Sequence, residues 1–209
     1  MGERVRISPA GWLFMAIGVV LQVIAYVITG SALLSFASGL LGVFSVVLCS
    51  ERKTISYLFG FAQIGTYVVL AAHQHFYGEL FENVFYFVTM IAGVIMWLKH
   101  SDRGVVESKK LTPAGWVAWL GIMVIGIVAV WYRLVQTNDT QPFMDAITTV
   151  PAFIAQILMI TRFREQWFFW LIIDVGSIFM WINAGDWNMA MQFVFWTANC
   201  IYGWIKWKD

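Results

Sequence analysis

The chain has 209 residues, of which 60% are hydrophobic and only 12% charged, with a formal net charge of +1. A soluble domain of this size has too little interior to hide that much apolar surface, whereas a bilayer solvates it. Two cysteines and three histidines form no metal-ligand cluster, so no metal, cofactor or nucleic-acid partner is expected and a metal enzyme is disfavoured.

In chain order, Ser8-Pro9-Ala10-Gly11-Trp12 opens the first apolar run, and Thr112-Pro113-Ala114-Gly115-Trp116 opens a later one. Arg4 and Arg6 precede the first run as in a signal peptide, but its opening pentapeptide recurs in mid-chain, which points to a retained helix. Helices are predicted over 11–30, 33–50, 54–72, 79–99, 114–134, 142–161, 166–183 and 189–207. Each is near the roughly 20 residues that cross about 30 Å of hydrocarbon. His73, His75 and His100 are expected in loops. The expected fold is an all-α integral membrane protein of eight transmembrane helices in a single membrane domain, 1–209. It is a parallel duplication, with a first repeat at 8–99, a polar cytoplasmic linker at 100–111 and a second repeat at 112–208.

The repeat continues inside the halves. An offset of 110 pairs Phe59 with Phe169, Phe85 with Phe195, Gly93 with Gly203, and Trp97 with Trp207. It also pairs Tyr57 with Trp167 and Tyr86 with Trp196. The expected core is three helices, a linking helix and three helices, with the first helix outside. Folds of this kind place a polar site between the copies near the bilayer midplane. Of the 13 basic residues, all but Arg133 fall on one side when the loops are numbered alternately, which predicts cytoplasmic termini.

The seventh helix carries Trp167, Trp170 and Asp174 at i, i+3 and i+7, on one face. A carboxylate in mid-span is costly unless it meets a cavity or a partner. The eighth carries Gln192, Trp196, Asn199 and Gly203 on one stripe, and the fourth carries Glu82, Tyr86, Thr89 and Gly93. The third offers Gln63, and the sixth Gln156. These groups suit either a shared pocket or interhelical hydrogen bonds. Trp12, Trp97, Trp116, Trp187, Trp204 and Trp207 lie near span ends and read as an interfacial belt. Cys49 and Cys200 read as small buried hydrophobes, and Arg133 and Asp145 as surface charges.

The stretch from Arg162 to Lys208 opens on the turn Arg162-Phe163-Arg164-Glu165, carries Trp167-Phe168-Phe169-Trp170 and closes on Asn199, Gly203 and Trp207 at four-residue spacing, and in this it resembles the PnuC family of vitamin transporters. The resemblance rests on the W-x-x-W motif Trp167-Phe168-Phe169-Trp170, preceded by Gln156-Ile157-Leu158-Met159 and the turn Arg162-Phe163-Arg164-Glu165. It rests also on the closing pattern from Asn199 through Gly203 to Trp207, and on Pro142-Phe143-Met144-Asp145-Ala146. It extends over about 33–208. The resemblance implies a facilitator with a SWEET-like fold, usually a homotrimer, in the inner (plasma) membrane. Nicotinamide riboside would stack on Trp167 and Trp170, with trapping by cytosolic phosphorylation. The residues fit that chemistry independently. A flat cation binds over tryptophan faces, by about 2 kcal/mol or more when desolvated. Asp174 would offset its charge, and Asn199, Gln192, Gln63 and Gln156 suit sugar hydroxyls. Thiamine is also an aromatic cation, riboflavin is carried by relatives, and sugar pockets also use Trp and Asn. An intramembrane enzyme would need an acid–base set beyond Asp174 and Glu82.

Overall fold

The computed structural model describes residues 7–30, 32–102 and 105–208. Among them run eight helices: α1 (Pro9–Thr29), α2 (Leu33–Ser50), α3 (Ser56–His73), α4 (Tyr77–Lys99), α5 (Pro113–Leu134), α6 (Pro142–Ile160), α7 (Gln166–Asn183) and α8 (Trp187–Lys206). A short antiparallel pair, β1 (Ser101–Asp102) and β2 (Val105–Val106), lies between α4 and α5. The predicted helix ends fall within two residues of these bounds. His73 is the last residue of α3 rather than part of a loop, because the helix ends only where His75 turns to a φ of 58°.

The duplicated pentapeptide is a helix start. Ser8 Oγ accepts from the Gly11 amide at 3.1 Å, and Thr112 Oγ1 from the Gly115 amide at 3.1 Å. Pro9 and Pro113 occupy the first helical position, where the missing N–H has no partner to lose. The helix ends also recur. Arg52 (φ 59°) and Arg162 (φ 70°) reverse the chain after α2 and α6, and His75 and Gly185 (φ 80°) do so after α3 and α7. Each pair is 110 positions apart.

Six helices, α1, α2, α4, α5, α6 and α7, are long and apolar enough to cross a membrane. The expectation of eight spans is met on this measure for six. α3 carries Gln63 and Tyr67, and α8 carries Asn188, Gln192 and Asn199, so their composition is diluted by groups directed at the interior. α8 packs against α1, α2 and α7, and α3 against α2 and α4. Across the halves, α2 packs on α8 as α6 packs on α4. α5 packs on α6 and has only Leu134 buried, which leaves its apolar surface facing outward.

The exchange between halves is hydrogen-bonded reciprocally. Trp97 Nε1 donates to the Met159 carbonyl at 3.0 Å, and Trp207 Nε1 to the Cys49 carbonyl at 3.3 Å. Both rings are fully buried, which corrects the interfacial expectation for Trp97 and Trp207. Val106, from the segment between α4 and α5, packs in one cluster with both indoles, and each carbonyl gives an indole N–H a buried partner. Trp12 and Trp187 are exposed, as an interfacial position requires.

The linker expected as a plain polar connection is a strap. The Val106 amide donates to the Arg52 carbonyl at 3.1 Å. Lys109 pairs with the α6–α7 turn through Lys109 N to Arg162 O (2.7 Å) and Arg164 N to Lys109 O (2.9 Å). Ser108 Oγ donates to the Trp207 carbonyl at 3.0 Å, and the Leu111 amide to Glu165 Oε2 at 3.0 Å. Val106 is thereby buried in one cluster with Cys49, Tyr57, Trp97, Trp167 and Trp207.

Asp145, read from sequence as a surface charge, is fully buried. It accepts from the Gly78 amide at 2.6 Å and from Thr149 Oγ1 at 3.1 Å. A helix start leaves its first amides without intrahelical partners, and a carboxylate satisfies one of them.

Candidate functional site

A cavity of about 130 Å³ lies between the two halves. α7 contributes Trp167, Trp170 and Asp174 from one face, as their spacing requires. α8 adds Trp196, Asn199 and Cys200; α4 adds Tyr86 and Met90; α6 adds Gln156 and Met159. α3 supplies Tyr57, Gly60, Gln63 and Ile64, and α2 supplies Ser45, Val46 and Cys49. Eight of the ten candidate residues therefore share one wall.

Thr89 and Gln192 do not line it. Thr89 stands behind Gln156 and accepts from its Nε2 at 3.0 Å, which orients the glutamine. Gln192 lies in the α2–α8 seam, where a Cβ added at Gly42 would come within 3.2 Å of its Nε2. The absent side chain at Gly42 lets α2 approach both Gln192 and Trp196, and only the longer Trp196 ring reaches the cavity.

The aromatic walls are fixed by glycines. A Cβ added at Gly203 would lie 2.6 Å from Trp167 Cζ2, and one at Gly93 would lie 2.9 Å from Tyr57 Cζ. Each ring thus rests on a helix backbone, which any side chain at those two positions would displace. Trp170 is half-buried, with its ring 5.8 Å from that of Tyr86. Tyr57 was not singled out for the site, although the 110 offset that pairs it with Trp167 was a usable signal.

Asp174 is 2% exposed and accepts from Cys200 Sγ at 3.0 Å. Among the described residues no Lys, Arg or His lines the cavity, so no side-chain cation matches this carboxylate. Asn199 is held by Ser50 Oγ, which donates to its Oδ1 at 3.1 Å, and by its own Nδ2, which donates to the Val46 carbonyl at 3.2 Å. Trp167 Nε1, Trp196 Nε1, Tyr57 Oη and Tyr86 Oη are buried without a hydrogen bond among the described residues. Buried polar groups are ordinarily paired. Four unpaired groups around one cavity are what a polar ligand would satisfy.

A smaller chamber of about 40 Å³ continues from the first. Gln63, Tyr86, Trp170, Asp174 and Trp196 line both. Beyond them stand Tyr67, Glu79, Glu82, Asn83 and Ser177. The larger cavity reaches towards the Arg52 and Arg162 turns, and the smaller towards the start of α4.

Comparison with known proteins places this arrangement. The family profile described as nicotinamide mononucleotide transporter matches residues 32–209. The nicotinamide riboside transporter PnuC of Haemophilus influenzae is 31% identical over 95% of this chain and 91% of its own length. That of Neisseria mucosa is 29% identical over 95% and 80% respectively. A crystal structure of the vitamin B3 transporter PnuC superposes with a TM-score of 0.83 at 25% identity, covering 97% of this chain and 92% of the other.

Proposed function

The chain belongs to the nicotinamide mononucleotide transporter family, the PnuC transporters, and from that membership and the cavity's chemistry we propose that it takes up nicotinamide riboside by facilitated diffusion. The observation that carries the substrate is the pairing of Trp167 and Trp170 with Asp174, a buried carboxylate that no cation among the described residues answers. The pyridinium of nicotinamide riboside is flat and positively charged. It gains from a tryptophan face and from an acid in a desolvated site. Gln63, Gln156, Asn199 and the unpaired Tyr86 hydroxyl offer partners to the ribose.

The finer architecture follows the same reading. All eight helices cross the inner (plasma) membrane, α3 and α8 doing so behind their neighbours, and both termini are cytoplasmic. Repeats 8–99 and 112–208 form a SWEET-like core of three helices, the linking helix α5 and three more, with α1 outside and three copies to a trimer. Uptake feeds NAD biosynthesis, and phosphorylation by a cytosolic kinase retains the product. The reciprocal α2–α8 and α6–α4 packing supports this arrangement.

Calorimetric titration of the purified protein tests the substrate. Nicotinamide riboside should bind, and Trp170→Ala should remove most of the binding. Thiamine, the competing aromatic cation, binding more tightly than nicotinamide riboside would move the substrate within the same site.

A further inference from the structure

We propose that the chamber bounded by Glu79, Glu82 and Ser177 is a second cation-recognition site, a staging position for the pyridinium of an N-riboside on its way to Trp170 and Asp174. This rests on the substrate reading above and adds a place to it. Glu79 and Glu82 are 3% and 4% exposed, and both line the chamber. Glu79 Oε2 accepts from Tyr67 Oη at 2.8 Å, whereas Glu79 Oε1 and Glu82 Oε2 have no hydrogen bond among the described residues. Ser177 reaches the chamber from α7, fully buried, and its Oγ is also without a hydrogen bond. Among the described residues no Lys, Arg or His lines the space. Asp145, close to Glu79, is already occupied by Gly78 and Thr149.

The acids are not needed by the duplicated framework. At the 110 offset Glu79 meets Met189 and Glu82 meets Gln192, so the second half is built with neutral residues at both places. Buried carboxylate oxygens left without a hydrogen bond carry a desolvation cost that a structural role would not require. Among the described residues no group of acids, His and Cys could hold a metal ion. Tyr67, Tyr86, Trp170 and Trp196 line the chamber beside the carboxylates, and aromatic faces with acids are the chemistry that recognises an aromatic cation. At about 40 Å³ the chamber is much smaller than the 130 Å³ cavity beside it. A ring enters it when the halves part at this end, the motion that alternating access demands.

Uptake into proteoliposomes tests the site with two probes of nearly equal shape: nicotinamide riboside, a cation, and its reduced dihydro form, which is uncharged. Gln192 shows that the matching place in the other half accepts an amide, so Glu82→Gln should fold. At low external concentration Glu82→Gln should slow uptake of the cation by about tenfold or more, since an acid-lined cleft raises local cation concentration on that order. Uptake of the dihydro form should stay within about twofold of the parent, and Glu82→Asp should restore the cation. Equal losses for both probes, or no loss for either, would overturn the staging site. Parent protein that takes up neither probe would overturn the substrate reading itself, and the staging site with it.

Discussion

Single side chains set both the site and its anchorage. Trp167→Ala or Trp170→Ala should abolish most binding, because each ring supplies stacking area to the cavity. Trp187→Ala, at an exposed position, should bind as the parent does. Asp174→Asn keeps shape and removes charge. It should weaken a cationic vitamin by about 1.5–3 kcal/mol, roughly 10- to 150-fold, and an uncharged analogue far less. Calorimetry on both ligands measures the difference, and equal affinities for the variant and the parent would make Asp174 a packing residue. Outside the spans, Glu51 ties α1 to the core. It accepts from the Ser8 amide at 3.1 Å, from Ser8 Oγ at 2.6 Å and from the Tyr202 hydroxyl, with Lys206 Nζ at 3.5 Å. Burial pushes its carboxyl up, but these bonds and the Lys206 charge outweigh burial and hold it below the usual 4.5. A depressed carboxyl stabilises the fold fully above about pH 4.5 and loses that contribution as pH falls through the folded-state value. Thermal unfolding of the parent and of Glu51→Gln should therefore differ at neutral pH and converge in acid. A difference that persists undiminished below the carboxylate range would contradict this.

Helices and their connections show where sequence reading reaches and where it stops. All eight helices were legible, because long apolar runs are bounded by Ser-Pro and Thr-Pro caps and by short polar turns. The α7 face was legible too, since a 3.6-residue period fixes which of Trp167, Trp170 and Asp174 point together. The period does not say which neighbour covers a stripe. Gln192 and Trp196 share one and both pack against Gly42 of α2, yet only the larger Trp196 ring reaches the cavity. Trp97 and Trp207 lie near helix ends, and only the partner helix and the strap reveal that they are covered. The strap itself joins 105–109 to 52–53 and 162–164, and no local pattern encodes such distant pairings. Its burial gives a test. Val106→Ala removes two buried carbons, about 1.5–2 kcal/mol, and should lower the unfolding temperature measurably. Glu107→Ala on the exposed side of the strap should not. An unchanged unfolding temperature for Val106→Ala would mean that the strap is not part of the core.

At the scale of the whole molecule, α2 packs on α8 and α6 on α4, and the two connected cavities form a path between them. Its orientation is open to labelling. Cys49 and Cys200 are both buried, so single cysteines can be added at exposed Glu107 and Asn138. Asn138→Cys should react with an impermeant reagent from outside and Glu107→Cys only after the membrane is opened; the reverse would invert the topology. The path contains acids but no basic side chain among the described residues, and in the proposed reading Asp174 has the role of a counter-charge for substrate rather than of an ion-coupling site. Transport should therefore run downhill only. The decisive measurement is uptake of nicotinamide riboside by proteoliposomes that contain no kinase. The account predicts that internal and external concentrations become equal, at the same end point with or without a proton or sodium gradient. Accumulation above the external concentration when either gradient is imposed, or no uptake at all, would contradict it.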